Sequence, residues 1–351
     1  MTRRRLAAFI TCVGLTLGTM AQTAPGAQPQ VLTPSEHVRT PDQTFLTFPE
    51  WYLVHSPAEY AAYLAHTDRP SRFPLFSHIG QFWQSYAAVS HEIEKYPFNG
   101  GYHLMVMVIG VSTTVEYSLK GLYERTIGRL AEATKSNDPV PEEQFAARFA
   151  QSYVDFIRVD PWYQFDFWHQ LKSLWADAPL AGPNLVRRWE RRFALTSELL
   201  VKEGYARLIK LGTQSLYDAP KPVTAVVLNR PPEPDPAQHP EYHVLGDTLA
   251  GGAVIATLPR YEGFTTYSRW LAAQGIDFRE VAGNSGDIVL SVLVPDDWPS
   301  EGVRRLFEQP ILTQPGRKRV VFAIPVSRLG AELRRAQAMP GQVVVEHIYD
   351  F

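Results

Sequence analysis

Cysteine is all but absent: Cys12 is the only one in 351 residues. It falls inside an N-terminal segment with the form of an export signal, so a processed chain carries none. Disulfides, thiolate metal sites and a cysteine nucleophile are thereby excluded from the mature protein. An excess of either charge is lacking too. With 34 Lys and Arg against 36 Asp and Glu, the net charge is -2. No overall basic field exists to gather a polyanion, and nucleic acid is not an expected partner. Catalytic signatures are also missing. The chain has no HExxH motif or its reverse, no GxSxG elbow and no phosphate-cradling P-loop. No metal or cofactor is expected, and no internal repeat is legible in the residues.

What is present begins with Arg3, Arg4 and Arg5, an apolar run over residues 6–18, and the small-x-small step Thr19-Met20-Ala21. That order predicts a bacterial secretory signal over residues 1–21 and an exported, periplasmic or cell-envelope location. If uncleaved, the signal would tether the protein to the inner membrane. A lipoprotein signal lacks the small residue before Cys12, and Arg3-Arg4-Arg5 only partly matches a twin-arginine leader. Residues 22–43 are rich in Gln, Thr, Pro and Ala without a hydrophobic period, the composition of a flexible spacer.

Order is expected from about Phe45. Pro57, capped by Ser56, reads as the start of a short helix, and Ile79, Phe82, Trp83, Tyr86, Val89 and Ile93 as a second. Residues 100–130 hold the longest strongly apolar passage beyond the leader. Residues 104–111 are apolar on every side, as in a helix buried all round, and Thr113 with Glu116 has the form of a capping box that would break the passage in two, a single bent helix being the alternative. Extending the run to the roughly 20 residues a bilayer requires would include Glu116 and Lys120, so a buried core helix is favoured, with a re-entrant or membrane-lying segment as the alternative. Further helices follow to residue 218.

Prolines then cluster over residues 219–242, a stiff linker interrupted only by a candidate strand at 223–228. Residues 243–351 read as strand, helix, strand, strand, short helix at 303–307, strand, helix, strand. The fold class expected is therefore α+β. An aromatic-rich all-helical domain over 44–218 is followed by a small ferredoxin-like domain of βαββαβ order, extended by an αβ pair.

Three constellations carry functional expectations. Trp51, Trp83, Trp162, Trp168 and Trp175 are the candidates for lining a pocket for an apolar small molecule or lipid, with plain core filling as the alternative. Arg187, Arg188, Arg191 and Arg192 form a basic knot at the start of a long helix, where the helix dipole disfavours cations. An anionic headgroup, a membrane surface or neighbouring carboxylates would compensate it. His103, Glu116 and His169 are the candidates for a catalytic site. The leading expectation is a binding protein of the envelope, acting on an apolar ligand, a lipid or a protein partner. An envelope hydrolase or metal or haem enzyme is the alternative, and a structural component the second.

Overall fold

The computed structural model describes residues 31–67, 69–213, 223–235, 237–299 and 303–350. The expected signal, with Cys12, lies outside them, as does the spacer up to residue 30. The later part of the spacer is tied down: the backbone amides of Leu32 and Thr33 donate to the Glu280 carboxylate at 2.9–3.1 Å, and that of Arg39 to the Ala282 carbonyl at 2.9 Å.

The helices are α1 (Gln43–His66), α2 (Leu75–Glu92), α3 (Gly100–Tyr123), α4 (Arg129–Glu132), α5 (Pro141–Ile157), α6 (Phe167–Asp177) and α7 (Leu185–Thr213). Helix α1 is the hub. Residues 44–49 are buried consecutively, which a helix achieves only when neighbours cover every side. It contributes Ala61 and Leu64 to one cluster, Phe45, Phe48, Trp51 and Val54 to a second and Tyr52 to a third. Pro57 does not open this helix; it lies inside it, as does Pro49. Burial on all sides outweighs the backbone bond that each proline removes.

Helix α3 decides one expectation left open and corrects another. It runs unbroken through Thr113 and Glu116 and passes through a π-helical turn, Glu124–Gly128, into α4. It is also not enclosed: only Val106, Gly110, Thr113 and Gly121 are buried, while Leu104 is 66% and Leu119 67% exposed. The small residues mark the packed side. A Cβ on Gly110 would stand 2.4 Å from the Phe82 ring, and one on Gly121 2.7 Å from Phe76. Helix α2 lies against the narrow face of α3, and the bulky aliphatics point away.

The strands are β1 (Val223–Leu228), β2 (His243–Leu245), β3 (Val254–Pro259), β4 (Phe278–Val281), β5 (Asp287–Pro295), β6 (Arg304–Pro310), β7 (Arg317–Pro325) and β8 (Val344–Tyr349), with α8 (Glu262–Ala273) between β3 and β4 and α9 (Val326–Gln337) between β7 and β8. The α+β class holds. The stretch at 303–307 expected as a short helix instead forms the first half of β6, and 223–228 is a central strand. The strands divide between two antiparallel sheets of order β2-β3-β1-β4 and β6-β7-β5-β8. The two orders are the same, so the topology repeats although the residues do not. In each, a 12-residue helix links the two strands that flank the first.

The second sheet is covered on both faces. Leu290, Val292, Phe322 and Ile348 enter a core shared with β1, β3, α8 and α9, while Val289, Val321, Ala323 and Tyr349 pack against Phe45, Phe48 and Trp51 of α1. Thr44 reaches into that sheet, donating to the Tyr349 carbonyl at 2.8 Å and accepting from the Val289 amide at 2.9 Å.

Candidate functional site

A cleft opens where α1, α3, α5 and α7 meet. It is lined by Tyr52, Pro57 and Tyr60 of α1, Thr113, Glu116, Tyr117 and Lys120 of α3, Phe149 and Tyr153 of α5, and Glu198 and Lys202 of α7. Helices α3 and α7 run antiparallel along its rim, held by alternating charges. Lys120 meets Glu198 at 3.0 Å, Lys202 meets Glu198 at 3.1 Å, and Lys202 meets Glu116 at 3.2 Å. The ladder closes the cleft electrostatically with two cations and two anions.

The aromatic walls reinforce the charges. The Lys120 ammonium lies 4.4 Å from the centre of the Tyr60 ring and that of Lys202 5.1 Å from Tyr153, geometry in which the ring face attracts the cation. Burial alone would push Glu198 up, but the two lysines hold it down to about 2. Burial likewise works against the ammonium of Lys202, and Glu116 and Glu198 more than offset it, raising its pKa. Tyr153 is pushed up to about 12 by burial. At neutral pH the cleft therefore presents two firmly charged ammonium groups, each 19% exposed, between neutral phenols. Glu116, at 46%, is the most open member of the ladder.

Behind the cleft runs a buried polar chain. Tyr117 Oη lies 2.8 Å from Ser56 Oγ, which is 3.0 Å from His78 Nδ1. His78 Nε2 faces Glu59 at 3.6 Å, Glu59 accepts from Arg319 at 3.0 Å, and Arg319 holds Glu346 with two bonds of 2.6 and 2.7 Å. Glu346 ends the chain on His55 Nδ1 at 3.3 Å. Burial depresses His78 to about 3, with Arg319 adding to it, and burial likewise takes His55 to about 3. Both imidazoles are neutral near pH 7. Ser56, His78 and Glu59 have the residue types of a nucleophilic triad, but Ser56 is 1% and His78 0% exposed, so no substrate carbonyl can approach the hydroxyl. The chain joins the helices to the second sheet.

The residues singled out from the sequence take other places. His103 and Glu116 lie on one continuous helix, 13 positions or roughly 20 Å apart along its axis. His103 bonds Tyr86 Oη through Nδ1 at 2.8 Å and stacks on Phe98. His169 sits on α6, where its amide is capped by Asp166. The three do not converge, and only Glu116 reaches the cleft.

The tryptophans do not build a common pocket either. Trp51 is buried between His347, 3.9 Å away and stacked, and Tyr261. Trp83 donates to Thr114, Trp162 packs on Tyr205, and Trp168 and Trp175 are 45% and 46% exposed. Tyrosines line the cleft instead.

The arginine knot is an interior network, not an outward anion site. Arg187, Arg188, Arg191 and Arg192 are 0–4% exposed. Arg187 meets Glu132, Glu143 and Glu190, Arg188 and Arg192 share Glu142, and Arg191 is held by Glu124 and Glu190. Neighbouring carboxylates thus provide the compensation the helix terminus requires.

Lys120, Glu198, Lys202, Tyr60, Tyr117 and Tyr153 were missed because they come from four helices distant in sequence. One signal was available: Glu198 and Lys202 have the i,i+4 spacing of a helix-surface ion pair, though that spacing alone does not show that Lys120 and Glu116 of another helix complete it. Among the described residues, no group of three or more His, Cys, Asp or Glu is placed to hold a metal ion. Comparison with protein-family models, with curated proteins and with solved structures returns no match to this chain.

Proposed function

We propose that this is an exported cell-envelope protein that binds an amphiphile, a lipid or fatty-acid-like molecule with an anionic head, in the cleft between α1, α3, α5 and α7. The observation that carries this reading is the Lys120–Glu198–Lys202–Glu116 ladder on a tyrosine-lined floor, with Leu53, Leu75 and Phe149 among the apolar side chains of the same cleft. A carboxylate or phosphate head would take the place of the open Glu116 on Lys202, and the chain would lie along apolar side chains. The small β-rich half is read as two ferredoxin-like units, each lacking its first helix, that buttress the helices and mediate assembly.

The test is native mass spectrometry of gently purified protein, followed by titration with a fluorescent fatty acid. A lipid-sized adduct and saturable uptake, weakened at least ten-fold by Lys202→Met, are expected. Absence of both an adduct and uptake overturns the reading.

A further inference from the structure

We propose that the outward faces of α3 and α7 form a docking surface for an anionic lipid bilayer, on which the protein lies without crossing it. On α3, Leu104, Met105, Met107, Val108, Val111, Val115, Leu119 and Leu122 are 38–67% exposed. On α7, Leu185, Val186, Trp189, Phe193, Leu200, Val201, Tyr205 and Leu208 are 44–71% exposed. Contacts 116 to 202, 120 to 198, 123 to 193 and 124 to 191 set the two helices side by side and antiparallel, so their rows adjoin. Sixteen large apolar side chains thus stand open on two neighbouring helices, whereas the largest apolar patch on an ordinary monomer covers roughly 300–600 Å².

Charge is almost absent from this surface. Glu116 is the only side chain charged at neutral pH on an exposed position of α3, and Arg207 the only one on α7 up to Lys210. Each is already paired, with Lys202 and Glu203 respectively. No described helix is long and apolar enough to cross a membrane, which leaves a face that lies on it.

Three features favour lipid over a second copy of the chain. The α3 row is wholly aliphatic and thioether, with no ring or guanidinium to act as an anchor, whereas protein interfaces concentrate their energy in Trp, Tyr and Arg. Such a row suits a fluid, non-specific apolar phase. Trp189 in the first turns of α7 and Trp175 of α6, with ring centres 6.3 Å apart, stand together at one end of the face and are each 46% exposed, as amphipathic indoles do at the headgroup level. Arg125 and Arg129, just beyond the α3 row, and Lys172 of α6 are exposed as well, and their charge complements anionic headgroups. The apolar run at residues 6–18 and the export it predicts would bring the chain to such a surface. The proposal does not depend on the cleft, because none of these aliphatic side chains lines it.

The test uses the full chain carrying Cys12→Ser, with an environment-sensitive dye on a single new cysteine at Val115 or, as reference, at Arg279, exposed on β4. Both proteins share the same leader, so any difference between them reports the face. With phosphatidylglycerol–phosphatidylcholine vesicles, the dye at 115 should brighten at least two-fold and be quenched by nitroxide on the acyl chains, while the dye at 279 stays in water. Val108→Asp with Leu119→Asp should abolish the response at 115 and leave the circular dichroism unchanged, because both positions are open. If the dye at 115 stays in water with vesicles, or is covered without them as the chain dimerises, the proposal fails.

Discussion

The guanidinium of Arg319 spans from β7 to the Glu59 carboxylate of α1 at 3.0 Å while gripping Glu346 of β8 through two further bonds. One fully buried cation therefore ties the helices to the second sheet. Removing one partner of a buried pair leaves the other charges without compensation, at a cost of about 3–5 kcal/mol. Arg319→Met should lower the unfolding free energy by that order in urea denaturation. Adding Glu59→Gln and Glu346→Gln should recover a substantial part of it. Equal stability of Arg319→Met and the parent would refute the strut.

The same network sets a pH dependence. His55 and His78 are depressed by burial to about 3 from an ordinary 6.5. Between those values the unfolded chain takes up protons that the native state refuses, so stability falls as pH drops from about 6.5 toward 3. Each contribution is on the order of a few kcal/mol. Glu346, held near 2 by Arg319 and His55 against the upward push of burial, adds a second loss, progressive as pH falls from about 4.5 to 2. Glu59, raised by burial, acts in the opposite sense. Denaturation midpoints should therefore decline on mild acidification, and His78→Gln, a neutral side chain of similar reach, should flatten the slope between pH 6 and 4.

Legibility followed periodicity. Helix α2 and the helices α8 and α9 were readable because each carries one regular apolar stripe, and the strand at 223–228 because a short apolar, β-branched run stands between prolines. Helix α1 was not, since the backbone cost of Pro57 is local and visible, whereas the burial that overrides it comes from other helices, α2, α3 and α5, and from the second sheet, all outside its own stretch of sequence. Residues 104–111 were read as enclosed because a segment apolar on all sides carries no mark of which side is covered. That mark lay in the spacing of Gly110, Thr113 and Gly121, the small residues against α2. The duplicated sheet topology left no trace in the residues at all, because strand order is set by backbone pairing that many sequences satisfy.

Glu142, 0% exposed, is shared by Arg188 at 3.1 Å and Arg192 at 2.6 Å. It stands in the first turn of α5, where the helix dipole also favours a negative charge. Glu142→Gln keeps the shape and removes the charge both guanidinium groups rely on. A loss of about 3–5 kcal/mol is expected. Glu203→Gln, whose partner Arg207 is 64% exposed, should cost under about 1 kcal/mol. Comparable losses for the two would mean that the knot is not buried as described.

Gly110 separates packing from propensity. Alanine there gains helix propensity of about 1 kcal/mol over glycine, but its Cβ would lie 2.4 Å from Phe82 Cε1 and 2.9 Å from Trp83 Cη2. Phe82 is 1% exposed and packed with Tyr52 and Val106, so its ring has nowhere to retreat without moving α2. Overpacking of this kind typically costs about 1–3 kcal/mol, and the steric term should win. Gly110→Ala should lower the thermal midpoint. Ser112→Ala, two positions on and exposed, should leave it unchanged or raise it slightly. A stabilised Gly110→Ala variant would show that α3 does not approach α2 this closely and that the aliphatic row is turned differently.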